Sequence, residues 1–366
     1  MSKSHLVFLL PRMDGGGAEG VFLQIMTELV NQGDVVDLLL IQKKGPLLSK
    51  IPQEVNVIEL GGSRYPFSIA ALFSFFRLIK YINKTNARNL LSTLTGMNLF
   101  LIFASYFFRQ RPHIALREAV TWDNYKSKIK KVLVKNFYSK ADSIICVSEE
   151  VRQDLVRALG NENKLQVINN PVQKNVVRLK ANDSFTHPWI EDKNLKVVAA
   201  MGRLCQQKGF DILLKAIAKF DSSDNVRLFI LGDGELKDDL LKLASELGLE
   251  DRVEFLGFQL NPYKIISRVD LFVLSSRWEG FVNSLLEVIA LGIPVVSTDC
   301  KGGPKQILKN GEYGSLVPVD NVCAMYDSIK NRLYNDSQSK APDSFFQDYL
   351  ISSISDRYRA VFKSKS

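Results

Sequence analysis

Two consecutive α/β domains, each built on a parallel sheet, are the architecture this sequence predicts, and three observations lead there. A chain of 366 residues is too long for one ordinary core and suits two domains of roughly 150–180 residues. Short apolar runs alternate with helical patterns through the first half, then afresh through the second, as βαβ units do. Between the halves, residues 180–194 are polar, irregular and Pro-containing, which makes a linker. The expected division is an N-terminal domain over 1–172, a linker over 173–194, a second domain over 195–343 and a terminal helix over 344–366.

Composition narrows the chemistry. The chain is 46% hydrophobic and 24% charged, as soluble globular proteins are. Its four cysteines are widely spaced, without a C-x-x-C pair, and there are only three histidines, so no metal site is expected. The apolar run at 6–10 is too short for a secretory h-region and reads as a first strand. The net charge of +9 is uneven: residues 62–140 hold 14 Lys/Arg against two acids, Glu118 and Asp123. Two aromatic segments, 65–76 and 99–108, lie in the same stretch. Residues 89–108 are uncharged but interrupted by Asn, Ser, Thr and Gly, a strand plus a helix rather than a membrane span. No RNA- or DNA-binding motif accompanies the basic stretch, so an anionic membrane surface suits it better than nucleic acid.

The first unit is a strand at 6–10, a loop, then a helix with the apolar stripe Val21, Phe22, Ile25, Met26 and Leu29, ended by Gly33. Gly15, Gly16 and Gly17, followed by Ala18-Glu19-Gly20, formally match a dinucleotide fingerprint. That fingerprint needs an acid at the end of the second strand to hold a ribose; here the end offers Gln42, Lys43 and Lys44. The glycines still permit backbone to approach a ligand. Further strands are expected at 89–93, 114–117 and 143–147, and Arg117-Glu118 closes one of them at the carboxyl-end rim. Ser148 caps the next helix.

The second half reads as strand 196–201, loop 202–209, helix 210–220, strand 226–231, a Gly-Asp-Gly turn and helix 236–247, with short strands at 253–256, 271–274, 294–297 and 315–317. Arg203 and Lys208 share the first loop after Gly202; two fixed cations suit a diphosphate. After the strand at 271–274 comes a loop carrying Glu279, Phe281, Val282 and Asn283, then a helix with Leu285, Leu286, Ile289 and Ala290, closed by Gly292. Asn283 or Ser284 is the expected cap, so a helix N-terminus lies beside Glu279, a place for phosphate. Glu287 lies about one turn further along the same helix. Acceptor-only carboxylates beside an anion site suit a ligand with both phosphates and hydroxyls, such as a nucleotide sugar.

These segments carry a resemblance. Gly202-Arg203-Leu204-Cys205-Gln206-Gln207-Lys208-Gly209, Gly232-Asp233-Gly234, the E-x7-E run from Glu279 to Glu287, and the run from Pro294 to Pro304 together resemble the retaining GT-B glycosyltransferases of family 4, typified by bacterial surface-polysaccharide sugar transferases. The first half agrees less closely, through Gly15–Glu19 and Val147-Ser148. The resemblance implies a GT-B fold, with two Rossmann-like parallel-sheet domains facing a central cleft and a terminal helix returning to the N-terminal domain. It implies a metal-independent transfer, without cofactor, from a nucleotide diphosphate sugar to a lipid-linked saccharide, at the inner face of the cytoplasmic membrane. UDP is the expected carrier.

By the same resemblance Arg203 and Lys208 hold the donor diphosphate, Glu279 contacts the transferred sugar and Glu287 the ribose, with backbone N–H groups near Phe281, Val282 and Asn283 on the phosphates. Two departures stand out. Many members place an Arg after the Ala-Glu of the glycine loop, where this chain has Gly20, and many use a His at the end of a first-domain strand, where this chain has Arg117-Glu118. Glu118 is therefore the candidate acceptor-side catalytic residue. Competing readings are an epimerase or phosphorylase relative, and a non-catalytic binder of activated sugars; the intact Arg203, Lys208, Glu279 and Glu287 favour a transferase.

Overall fold

The computed structural model describes residues 4–85, 87–125, 127–335 and 339–363, and the chain divides into two compact units. The first runs to Pro171 and takes the chain in again from Gln347; the second is Val172–Phe346.

The first unit is a seven-stranded, wholly parallel sheet. Its strands are β1 (His5–Leu10), β2 (Val35–Leu40), β3 (Asn56–Glu59), β4 (Asn89–Thr93), β5 (His113–Glu118), β6 (Ser143–Cys146) and β7 (Leu165–Val167), in the order β3-β2-β1-β4-β5-β6-β7. β1 runs in full register with β2, from His5 opposite Val35 to Leu10 opposite Leu40. Helices cover the sheet, which is why β1 and β2 are near-continuous apolar runs rather than alternating ones. The helix Gly17–Asn31 buries the predicted stripe, and Phe22 meets Phe8 edge-on at 5.1 Å. The uncharged run is β4 followed by the helix Thr95–Ser105, whose Leu101, Ile102 and Ala104 are fully buried. No helix among the described residues is long and apolar enough to cross a membrane.

The second unit is a six-stranded parallel sheet: β8 (Lys196–Met201), β9 (Val226–Leu231), β10 (Val253–Gly257), β11 (Leu271–Leu274), β12 (Val295–Thr298) and β13 (Ser315–Val317), in the order β10-β9-β8-β11-β12-β13. β8 and β9 run level from Lys196 opposite Val226 to Met201 opposite Leu231, so the glycine turns that follow them leave side by side. β12 starts one residue later than the sequence predicts, after Pro294, which has no N–H to give the ladder.

Two expected boundaries are corrected. Residues 173–194 are not a free linker: Lys174–Ala181 and Pro188–Glu191 are helices, and the first packs on the helix Asn283–Leu291, where Arg178 Nε donates to the Ala290 carbonyl at 3.1 Å. The terminal segment is not one helix from 344. A 3-10 stretch, Asp343–Tyr349, precedes the helix Ile351–Lys363, and Phe345 is edge-on to Tyr313 of the second unit at 5.2 Å. Ile354, Tyr358 and Val361 then enter the core of the first unit with Val21 and Ile25, and Arg359 forms a buried pair with Asp34 at 2.7 Å. Residues 364–366 of the expected helix lie outside the described residues.

Candidate functional site

In the second unit the strand order reverses between β8 and β11, and a doubly wound sheet opens a crevice at the carboxyl ends of such a pair. The loop after β8 carries Arg203 and Lys208; the loop after β11 carries Glu279. Backbone and side chains lock the two loops together. Ser275 Oγ donates to the Lys208 carbonyl at 2.8 Å, Arg277 N to the Gln207 carbonyl at 2.7 Å, and Gln207 Nε2 to the Trp278 carbonyl at 2.9 Å. Arg277 clamps the outside, donating bidentately to Asp211 at 2.8 and 2.9 Å and through Nε to Asp320 at 2.7 Å.

Within this frame Glu279 is buried, and its oxygens are surrounded by donors. Lys208 Nζ approaches Oε1 at 2.6 Å, Ser276 Oγ donates to the same oxygen at 2.7 Å, and Gln207 Nε2 donates to Oε2 at 3.2 Å. Arg203 is exposed and has no hydrogen bond or ion pair among the described residues. So one cation is held by a carboxylate and the other is open to an incoming anion.

Two glycines bring further loops in. Gly302, at φ +109°, passes so close to Glu279 that a Cβ would stand 2.0 Å from its carbonyl oxygen, and Glu279 N donates to the Lys301 carbonyl at 2.8 Å. Gly232, at φ +141°, lies against Gly202, whose carbonyl would be 1.9 Å from a Cβ. Side chains are excluded at both crossings, which is why the Gly-Gly and Gly-Asp-Gly segments belong to the same rim as Arg203 and Glu279.

The helix Asn283–Leu291 starts at this rim. Its N-cap is Val282, which makes no side-chain capping bond, so the expected cap at Asn283 or Ser284 is corrected: both lie inside the helix. An apolar N-cap brings no acceptor of its own to this helix start, where the positive end of the dipole favours an anion. Phe281 and Val282 are buried, which fixes the backbone at this start.

Glu287 lies further along the same helix, mostly buried and beside the Tyr263 hydroxyl. Burial pushes its carboxyl up to about 7, against the pull of Tyr263 and the Lys180 charge, and burial beside Glu287 raises the Tyr263 phenol. The sign of the consequence is fixed. Between about 4.5 and about 7 the folded protein keeps a proton that the unfolded chain has released. This group's contribution to stability is therefore full below that window, falls as pH rises through it, and is flat above. Glu287→Gln is expected to remove that slope, so that its melting temperature gains on wild type from pH 5 to pH 7 and no further. An equal difference at all pH values in a melting series would contradict this.

The first-unit candidates divide. Gly16 is the N-cap of the helix Gly17–Asn31 and gives no side-chain bond, Gly15 is exposed at φ +91°, and Glu19 is buried in the first turn with its carboxylate against Gly16, where a Cβ would stand 2.6 Å from Oε2. A Cβ at Gly20 would meet nothing within 4 Å, so packing does not require glycine there. Glu118 is corrected. It is fully buried, its Oε1 accepts from the N–H groups of Ala119 at 3.0 Å and Val120 at 3.2 Å, and its Oε2 from Thr95 Oγ1 at 3.2 Å and the Tyr138 hydroxyl at 2.7 Å. Its acceptor positions are filled by the protein itself, so it organises the end of β5 rather than meeting substrate. Its neighbour Arg117 is buried too, donating to Thr93 Oγ1 at 3.1 Å and Asn170 Oδ1 at 2.6 Å. The sequence reading missed Gln207, Ser276 and Arg277 as parts of the site. For Arg277 a signal existed, a cation two residues before the Glu279 motif; Gln207 and Ser276 carry none.

Comparison with known proteins agrees with this geometry. The family model described as glycosyl transferases group 1 matches residues 181–344, and that described as glycosyltransferase family 4 matches 15–175. The N-acetylgalactosamine-N,N'-diacetylbacillosaminyl-diphospho-undecaprenol 4-alpha-N-acetylgalactosaminyltransferase of Campylobacter jejuni is 32% identical over 249 residues, 66% of this chain and 66% of its own length. The lipopolysaccharide core biosynthesis glycosyltransferase LpsE of Rhizobium meliloti is 31% identical over 63% of this chain and 66% of its own length; the matches thus span about two thirds of these relatives. Among solved structures, HepE of Anabaena in complex with UDP and glucose superposes with a TM-score of 0.81 at 20% identity, covering 98% of this chain and 99% of that one.

Proposed function

Because this chain belongs to the GT-B glycosyltransferases of the family 4 type, we propose that it transfers a hexose or N-acetylhexosamine, with retention and without metal, from a nucleoside diphosphate sugar to a lipid-carrier-linked saccharide. UDP is the proposed carrier. The setting is surface polysaccharide assembly, such as O-antigen or capsule, with the protein peripheral on the inner face of the cytoplasmic membrane. The relatives support the reading: the Campylobacter enzyme is named for a diphospho-undecaprenol acceptor, and HepE was solved with UDP and glucose.

The observation that carries the proposal is the cluster at the β8/β11 reversal, with Lys208 on Glu279 at 2.6 Å, Arg203 open and the helix start at the apolar N-cap Val282 beside them. As the glycosidic bond breaks, negative charge grows on the departing diphosphate. Lys208 and the N–H groups of the helix Asn283–Leu291 are fixed before the reaction and Arg203 closes on the diphosphate as it binds, so together they stabilise that charge most in the transition state. Protein cations do here the neutralising work that a divalent ion does elsewhere. Glu279, released from Lys208 by the diphosphate, accepts from hydroxyls of the transferred sugar, and Glu287 accepts from the ribose. No protein nucleophile is needed: the leaving phosphate oxygen takes the acceptor's proton on the same face of the sugar.

The test is a thermal-shift panel of UDP, GDP, ADP and CMP in EDTA, on wild type and Glu287→Ala. Stabilisation of wild type by one diphosphate, at least halved in the variant, is the expected result and names the donor class for a turnover assay. No stabilisation by any of the four, with and without an acceptor saccharide, would reject the donor site.

A further inference from the structure

Eleven of the eighteen large apolar side chains left exposed among the described residues fall between Tyr65 and Val132, in the first unit. They are not scattered over that stretch. The helix Phe67–Thr85 buries Ala70, Ser74, Leu78 and Ile82 and turns its other side outward, with Leu72 61% and Phe76 63% exposed. Phe75 then links this helix to the next one and its exit, edge-on to Phe100 at 5.8 Å and to Phe107 at 5.7 Å. Phe103 packs on Phe137 at 4.8 Å, which adds the helix Lys128–Phe137 with its exposed Ile129 and Val132. Three successive helices thus make one flank with apolar tips outward. Such a patch on a folded protein marks an interaction surface.

Charge selects the partner. Residues 60–117 contain no Asp or Glu at all. On the first helix the outward residues change from apolar in the first half to Arg77, Lys80 and Lys84 in the second, and Lys128, Lys130 and Lys135 are exposed on the third. A second copy of the chain is a poor occupant, because a two-fold contact sets the same patch against itself and would oppose cations with no acid to pair them. Apolar tips rimmed by cations with flexible stems are the composition that lies in the headgroup layer of an anionic bilayer. The orientation is also given. The Arg12 guanidinium, just past the carboxyl end of β1, lies over the Phe67 ring at 5.2 Å, so the apolar end of the helix shares a rim with the Gly15–Gly17 loop.

From these placements we infer that the outward face of the helix Phe67–Thr85, continued by the helix Lys128–Phe137, is the surface on which this protein docks to an anionic bilayer. It sets the glycine-loop rim of the first unit at the headgroup layer. The inference rests on the glycosyltransferase reading only for the purpose of docking, which is to reach a lipid-carried acceptor; the surface itself stands on the burial and charge above.

Flotation with vesicles of phosphatidylcholine, with and without phosphatidylglycerol, tests it on the full chain. Wild type is expected to bind the anionic vesicles at least about tenfold more tightly than the neutral ones. Leu72→Ser/Phe76→Ser, and separately Lys80→Glu/Lys84→Glu, are each expected to lower that binding about tenfold with melting temperature held. Wild type that floats with neither vesicle, or variants that float like wild type, would overturn the inference. So would a dimer on light scattering that the same substitutions dissociate. The UDP thermal shift on the same preparations separates the two readings: nucleotide stabilisation without flotation sinks the docking surface and leaves the transferase standing, and flotation without nucleotide stabilisation does the reverse.

Discussion

Lys208→Met is expected to lower turnover by about 10³-fold, the loss that follows removal of one preorganised donor to a developing oxyanion. The same change also disturbs the resting protein, because Glu279 is buried and Lys208 is its only cationic partner within 4 Å among the described residues. Breaking a buried pair from one side costs about 3–5 kcal/mol, and the Ser276 and Gln207 donors hold this case toward the lower figure. Stability and catalysis are separated by a second change. In Lys208→Met/Glu279→Gln the buried charge is gone, so the melting temperature is expected to recover most of the loss while turnover does not. Isothermal titration with UDP supplies the other readout: both variants should bind several-fold more weakly than wild type, since the point charge on the diphosphate is absent from each. A Lys208→Met protein with near-normal kcat would show that the cation only props up Glu279. In that case Arg203, the cation without a partner among the described residues, would have to carry the diphosphate alone, and Arg203→Ala would show the larger loss.

How far the sequence led depended on whether the partners were close in the chain or distant. The second-unit site was legible because its parts sit at strand ends: Arg203 and Lys208 after β8, Glu279 after β11 and Gly302 after β12. A parallel sheet brings all such ends to one rim, so counting strands is enough to gather them. Gln207 and Ser276 escaped because an amide and a hydroxyl carry no pattern of their own; only the folded loops reveal that both donate to Glu279. The helix Lys174–Ala181 was hidden by its composition, with only Val177 and Ala181 among its apolar residues buried, too few to set a period against four charged or amide neighbours. Its anchor is the helix Asn283–Leu291, more than a hundred positions away. The terminal helix was legible from the spacing of Ile354, Tyr358 and Val361, but its interruption was not. Phe345 and Phe346 keep the same period while packing in the second unit, so periodicity ran on through a change of surroundings. The aromatic segment at 65–76, read with its basic neighbours as a surface, does leave Phe73 and Phe76 outside.

Glu118 is where a strand-end carboxylate misleads, and the second large effect follows from it. Read from sequence it stands where acceptor-side chemistry is expected; in the fold its oxygens take two backbone N–H groups, Thr95 and Tyr138. Asn98 ties the cluster further, donating to the Tyr138 hydroxyl at 3.1 Å and the Arg117 carbonyl at 3.0 Å. Burial and the Glu118 charge together push the Tyr138 phenol far up, so this hydroxyl stays a donor at any working pH. Glu118→Ala would strand several buried donors at once, each costing about 1–3 kcal/mol, and a total of about 4 kcal/mol or more is expected, read as a fall in the urea midpoint. Glu118→Gln is the sharper probe. An amide has one acceptor oxygen and brings an NH2 to a place crowded with donors, so it too should lose stability, by about 2 kcal/mol. Well below its midpoint it should still turn over at a rate within a few-fold of wild type, with the UDP response of the second unit unchanged. A catalytic carboxylate would give the opposite pair of results: an unaltered urea midpoint, because the side chain would be facing substrate rather than its own backbone, and turnover lost by two orders of magnitude or more. Measuring both quantities on the one variant therefore assigns Glu118 to the architecture of the β5 rim or to the reaction, and the geometry places it in the first.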